Sequence, residues 1–171
     1  SGPEKMTFAG SLVDENTAEL ILSVPGGQAK SFVLSKVGPL PDEAQRIEGS
    51  RQNILKLADA VREHRASQGG AHPSQEGAAA FEEMRQKGFL KDTGVLVCPG
   101  SATKPPAEGE AISEANTDYI YSPPEPGSVD AVPIIWDRPD NFKNGVNVLF
   151  SDGRVMWFDK DKFNNAVKSR R

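Results

Sequence analysis

The triplet Asp92-Thr93-Gly94, inside "GFLKDTGVLVC" (Gly88 to Cys98), is the first place in this sequence where residue types and spacing could do chemistry. An Asp followed by a hydroxyl residue and Gly, leading into an apolar run, is how aspartic-type peptidases present a catalytic carboxylate. Two such carboxylates face each other, share a proton and activate a water, one acting as base and the other as acid. One triplet is half a site, and Asp152, in Asp152-Gly153, is the only formal candidate for the other half within the chain. Ser151-Asp152-Gly153 lacks the Ser or Thr between Asp and Gly whose hydroxyl would brace the pair. Lys91, next to Asp92, is a cation that favours ionising both carboxylates. Turn chemistry accounts for the same triplet, because Asp92 can accept a hydrogen bond from the backbone two residues on while Gly94 bends the chain. The peptidase is therefore the alternative reading, and the turn is the main one.

Two further groups could bind rather than catalyse. Asp137, Asp140, Asn141, Asn144 and Asp152 gather oxygen donors within sixteen residues, the kind of loop that hard cations such as calcium prefer, although the spacing matches no EF-hand. Turn-forming Asn and Asp in a solvated loop is the plainer explanation. Lys160, Lys162, Lys168, Arg170 and Arg171, near Trp157 and Phe163, form the one basic patch. The formal net charge of −4 gives no global attraction to phosphate backbones, so weak, non-specific DNA binding would rest on that tail alone.

Several classes are excluded by what the sequence lacks. The single cysteine, Cys98, rules out an internal disulfide and a multi-thiolate zinc site, and its apolar flank predicts a buried, inert thiol. His64 and His72 do not form an HExxH pair, and neither a GxxxxGK[ST] phosphate loop nor a GxSxG elbow occurs. No apolar run approaches the roughly 18 residues needed to span a bilayer. The sequence opens on Ser-Gly-Pro with no initiator Met, a start that leaves open whether an upstream signal or anchor was removed.

The elements that must position these residues can be read from periodicity. "KMTFAGSLV", "AELILSV" and "KSFVLSKV", separated by "DENT" and Pro25-Gly26-Gly27, predict a small β meander over 5–38. Asp42 is a helix N-cap with Gln45 three residues on, and Ile47, Ile54, Leu57, Ala58 and Val61 stripe a helix to about residue 66, ended by Gly69-Gly70. A second helix carries Ala78, Phe81 and Met84, with Ser74 as its expected N-cap and Gly88 as its stop. Val95 to Cys98 is expected as a buried strand, "DYIY" and "VPIIWD" as short strands, and 101–116 and 123–128 as surface loops. In "GVNVLFSDGRVMWFD", Asp152-Gly153 predicts a two-residue type I′ turn that sets Phe150 opposite Val155 and Val148 opposite Trp157, on a face packed against the first helix. A short amphipathic helix over 159–169, using Phe163, Ala166 and Val167, ends the chain.

This order of pieces resembles a known family. "NILKLADAVREHRASQGGAHPS", "FEEMRQKGFLKDTGVLVCPGS", "DYIY" and "PIIWDRPDNFKNGVNVLFSDGRVMWFD" are together similar to the soluble part of prepilin-like proteins of the type II secretion and type IV pilus superfamily. Specifically, they resemble the bacterial group defined by a His, nine residues, then Asp-Gly. The likeness covers about residues 45–160. Two departures stand out: Phe142 occupies the position of that His, and the β meander stands in place of the family's apolar membrane-spanning half-helix. In the family, the segment aligned with Lys91 to Gly94 is a turn, and some secretion pseudopilins hold calcium near their C-terminal loop.

The expectation is thus an α+β protein with a small β lobe over 1–40 and a pilin-like head over 41–171, in which a long helix packs on a small, mostly antiparallel sheet. The resemblance implies a non-enzymatic structural or interaction module of a bacterial secretion or surface assembly. It would be periplasmic, cell-surface or secreted, partnered by other proteins of that assembly, with no cofactor unless calcium.

Overall fold

The structure, a computed structural model, describes residues 7–14, 17–23, 30–35, 42–128 and 130–168. It divides into two compact units, Ser1–Leu40 and Pro41–Arg171. In the first, β1 (Thr7–Asp14), β2 (Thr17–Ser23) and β3 (Lys30–Ser35) form an antiparallel meander in that order, with Ile21 opposite Ala9 on one side and Ser31 on the other. The expected Pro25-Gly26-Gly27 turn lies outside the described residues.

The second unit is α+β and is built around α1 (Glu43–Ser67). Asp42 caps this helix as expected, its side chain accepting from the Gln45 N–H at 2.8 Å. The face turned inward carries Ser50, Ile54, Leu57, Ala60, Val61 and His64, a helical stripe that includes two polar residues. α2 (Ala78–Gln86) is not capped by Ser74. Its N-cap is Gly77, which has no side chain to offer, and the Ala78 N–H donates instead to Glu114 Oε1 at 2.7 Å. A carboxylate distant in sequence thus supplies both the acceptor and the negative charge that a helix N-terminus favours. Gly88, at φ +80, closes the C-terminal end as predicted.

The expected strand over Val95 to Cys98 is instead a 3₁₀ turn, Thr93–Leu96, followed by extended backbone at Val97. Local hydrogen bonding decides this: Asp92 Oδ1 accepts from the Gly94 N–H at 2.9 Å and winds the chain before the apolar residues can extend. Val95 and Leu96 still reach the core, which is why an apolar run alone suggested a buried strand.

A four-stranded antiparallel sheet follows, in the order β4 (Tyr119–Tyr121), β5 (Pro133–Asp137), β6 (Gly145–Phe150) and β7 (Val155–Asp159). β5 and the first five residues of β6 are buried throughout because the sheet is covered on both sides. Ile135 and Leu149 join Ile54, Leu57, Phe81 and Tyr121 in the main core under α1 and α2. Trp136, Val146 and Val148 pack on the other side with Phe163 of α3 (Lys160–Lys168), the Trp136 and Phe163 rings lying 5.8 Å apart.

The β6–β7 hairpin differs from expectation by one residue. Leu149 pairs with Val155, Val148 with Met156 and Asn147 with Trp157. Phe150 N–H donates to Arg154 C=O at 2.9 Å, and Gly153 N–H to Phe150 C=O at 2.9 Å, so three residues, Ser151 to Gly153, close the loop. Only Gly153 takes positive φ, +90, the pattern of a type I turn with a glycine bulge rather than type I′. A one-residue shift exchanges the partners across the hairpin. Val148 therefore faces Met156 and packs on the α3 side, and Leu149 rather than Phe150 supplies the contact with α1.

Candidate functional site

The residues singled out in the sequence do not converge. Asp92 is exposed and serves as cap of the 3₁₀ turn. Asp152 is exposed at the hairpin tip, its Oδ1 accepting from Arg154 N–H at 3.1 Å and its Oδ2 from Arg154 Nε at 2.6 Å. Among the described residues each is bonded within its own turn, and no hydrogen bond joins the two. The five oxygen donors are dispersed. Asp137 points into the core, Asn141 Nδ2 donates to Asp118 C=O at 2.9 Å, Asp140 and Asn144 are exposed, and Asp152 is at the tip. Among the described residues no group of three or more His, Cys, Asp or Glu is placed to hold a metal ion. Of the basic patch, Lys162 pairs with Asp159 at 3.0 Å and Lys160 is half-buried; the side chains of Lys168, Arg170 and Arg171 lie outside the described residues.

The buried chemistry is held between α1 and the sheet. Ser50 Oγ donates to Asp137 Oδ1 and lies 3.1 Å from Tyr119 Oη, while Asn147 N–H donates to Asp137 Oδ2 at 2.6 Å. Asn53 Nδ2 reaches both Val97 C=O at 2.9 Å and Tyr119 Oη at 3.3 Å. Burial pushes the Asp137 carboxyl up to about 6, against the pull of its hydrogen bonds from Ser50 and Asn147, and also raises the Tyr119 phenol. A hydroxyl held on a carboxylate is the start of a nucleophilic site. Ser50 and Asp137, however, are both 0% exposed, so no substrate atom reaches them. A second buried carboxylate, Asp118, accepts from Cys98 N–H at 2.8 Å, Ser101 Oγ at 2.5 Å and Thr103 Oγ1 at 2.6 Å, pinning the 98–103 loop to the start of β4. Cys98 is buried as expected, and burial, reinforced by Asp137, pushes its thiol up to about 12.

Phe142 fills an aromatic slot, with the Arg46 guanidinium 5.5 Å above its ring and Trp157 5.7 Å away, edge to face. Arg46 also donates from Nε to Pro99 C=O at 2.9 Å and from Nη2 to Asn141 C=O at 3.0 Å, stitching the helix to two loops.

A cleft of about 870 Å³ opens between the end of α1, the loop at 70–74, the Pro-rich loop after β4 and the hairpin tip. Arg65, His72, Ser74, Asp130 and Asp152 line it. His72 Nδ1 is 3.3 Å from Tyr121 Oη. Burial, then the charges of Arg65 and His64, pulls His72 down to about 4, so the imidazole is neutral at pH 7. Among the described residues no hydroxyl lining the cleft is bonded to a base, the arrangement that covalent catalysis needs; the Tyr121 hydroxyl that meets His72 is itself buried.

Compared with known protein families, with curated proteins and with solved structures, the chain matches none. Ser50, Asn53, Asp118 and Tyr119 were not singled out as site residues in the sequence, and His72 was weighed only for an HExxH pair. Ser50 alone had a signal, since it sits four residues before Ile54 on the apolar stripe of α1.

Proposed function

We propose that this chain is the head of a prepilin-like structural protein that works by protein contact outside the bacterial cytoplasm and performs no catalysis. The observation that carries this reading is the order of parts in the second unit: a long leading helix laid on an antiparallel sheet whose last two strands form the "NVLFSDGRV" hairpin. Its buried carboxylates are consumed in bonds that hold helix, loop and sheet together, which suits a scaffold. Its large exposed apolar side chains among the described residues, Met156 at 44% and Trp157 at 39%, are neighbours on the edge strand β7 and suit a contact surface.

A photo-crosslinking amino acid placed at position 157 of the protein in its native bacterium tests the reading. Adducts with a pilin-like protein or with the chain itself are expected, on cells whose copy is accessible to external protease once the outer envelope is opened. The aspartic-peptidase alternative makes the opposite forecast. Acid-optimum proteolysis by the purified chain, blocked by a statine-type inhibitor and lost in Asp92→Asn, would replace this proposal.

A further inference from the structure

β7 is the outer strand of its sheet, and its outward main-chain groups can be identified. Arg154 C=O accepts from Phe150 N–H, and Lys160 N–H donates to Asn144 C=O, so the even-numbered residues turn their N–H and C=O groups toward β6. Antiparallel strands alternate these directions residue by residue, which leaves Val155 and Trp157 turned outward. Among the described residues no hydrogen bond reaches their main-chain groups. The opposite edge is treated differently: Tyr121 C=O accepts from Gly77 N–H at 2.8 Å, and the Asp118 N–H just before β4 donates to Leu96 C=O at 2.8 Å. One edge is closed by loops. The other is open and carries the exposed Met156 and Trp157.

We infer that β7 pairs with β7 of a second copy of this chain, antiparallel, about a two-fold axis that passes through Met156. The axis of such a pairing stands perpendicular to the sheet, so residues opposite one another share a face, and only registers centred on a residue are allowed. Centring on Trp157 sets Arg154 opposite Lys160 at both ends, like charge against like, which is destabilising. Centring on Met156 removes that clash. Val155 then faces Trp157 and exchanges both main-chain hydrogen bonds with it, a β-branched and aromatic pair of the kind that stabilises sheets. Arg154 faces the Phe158 ring. The strand is complementary to itself in side-chain type and hydrogen-bond direction together. This deepens the contact reading above by naming the partner, yet it stands on edge geometry alone: proteolytic activity would remove that reading and leave the pairing, while a monomeric chain would do the reverse.

The test uses the full chain. Met156→Cys places two thiols across the axis at a non-hydrogen-bonded pair, where Cα atoms are about 4.5 Å apart and within disulfide reach. Arg154→Cys places them well apart, and the buried native Cys98 contributes little background. Under mild oxidation Met156→Cys is expected to form a covalent dimer at least roughly tenfold faster than Arg154→Cys. In sedimentation velocity the parent chain is expected to dimerise with concentration. Trp157→Pro, which deletes an outward N–H and no bond to β6, and Met156→Lys, which sets like charges face to face, are each expected to weaken that dimer at least roughly tenfold with unchanged circular dichroism. A chain that stays monomeric throughout, equal crosslinking at 154 and 156, or a dimer unaffected by both variants would each overturn the inference.

Discussion

At the residue scale, an acidic side chain is defined by what its oxygens accept. Asp92 accepts one backbone N–H in an exposed turn. Asp92→Asn keeps that acceptor and should leave stability and any function unchanged, whereas Asp92→Ala should cost about 0.5–1 kcal/mol in urea unfolding, the worth of a turn-capping bond. Asp137 and His72 predict opposed pH effects. Asp137's folded value, about 6, lies above its ordinary 3.8, so its stabilisation is complete below about 4 and is lost as pH rises through 6. Ionised, this buried group costs the fold roughly 3 kcal/mol. His72 is pulled down from 6.5 to about 4, so its contribution is present above 6.5 and is lost as pH falls toward 4. The two partly cancel in the parent chain. Relative to the parent chain, thermal unfolding from pH 7 to 4 should therefore show Asp137→Asn losing more stability on acidification and His72→Gln losing less, while carboxyls held down by their partners, Glu82 among them, weaken every variant as pH nears 4. The turn chemistry of Asp92 was legible in the sequence because it is local. The burial of Asp137 was not, because Ser50, which bonds it from α1, lies 87 residues away in the chain and the Asn147 N–H reaches it only once β5 and β6 have paired.

At the element scale, helices and strands were legible where their signals are periodic and self-contained. α1 appears with its Asp42 cap, and all four strands of the second sheet fall on apolar segments marked out by turn residues. The failures share one cause, competition from a bond the pattern does not encode: Asp92 wound Val95 and Leu96 into a turn, Glu114 replaced Ser74 as cap, and a glycine bulge moved the hairpin by one residue. Glu114→Ala should destabilise by about 1–2 kcal/mol, since it removes the acceptor for Ala78 N–H and the ion pair to Arg138 together, and hydrogen exchange should quicken first in the opening turn of α2. Gly145→Ala should be worse, several kcal/mol or loss of folding. A methyl there would meet the Phe158 carbonyl and lie 2.6 Å from Trp157 Cζ2, and a backbone carbonyl has nowhere to move. Thermal unfolding of the two variants side by side orders these costs.

At the scale of the whole molecule, the second unit should be the independent folding body. Its core clusters run from Ile54 to Phe163 and its helix cap begins at Asp42. A chain beginning at residue 41 should unfold cooperatively with a midpoint within a few degrees of the parent's, and circular dichroism melts check it. The α+β class and the change of character after residue 40 were legible because strand period gives way to helix period there. The two-sided cover of the sheet was not, because the run over β5 and β6 says that both faces are buried without saying by what. That three-layer arrangement gives each of the chain's two tryptophans a different view of the solvent. Trp136 is sealed between sheet and α3, while Trp157 stands 39% exposed at the rim. The protein therefore carries a built-in pair of optical reporters. A quencher such as acrylamide should extinguish the red-shifted emission of one and spare the blue-shifted emission of the other, and lifting of α3 would be seen as the second turning into the first.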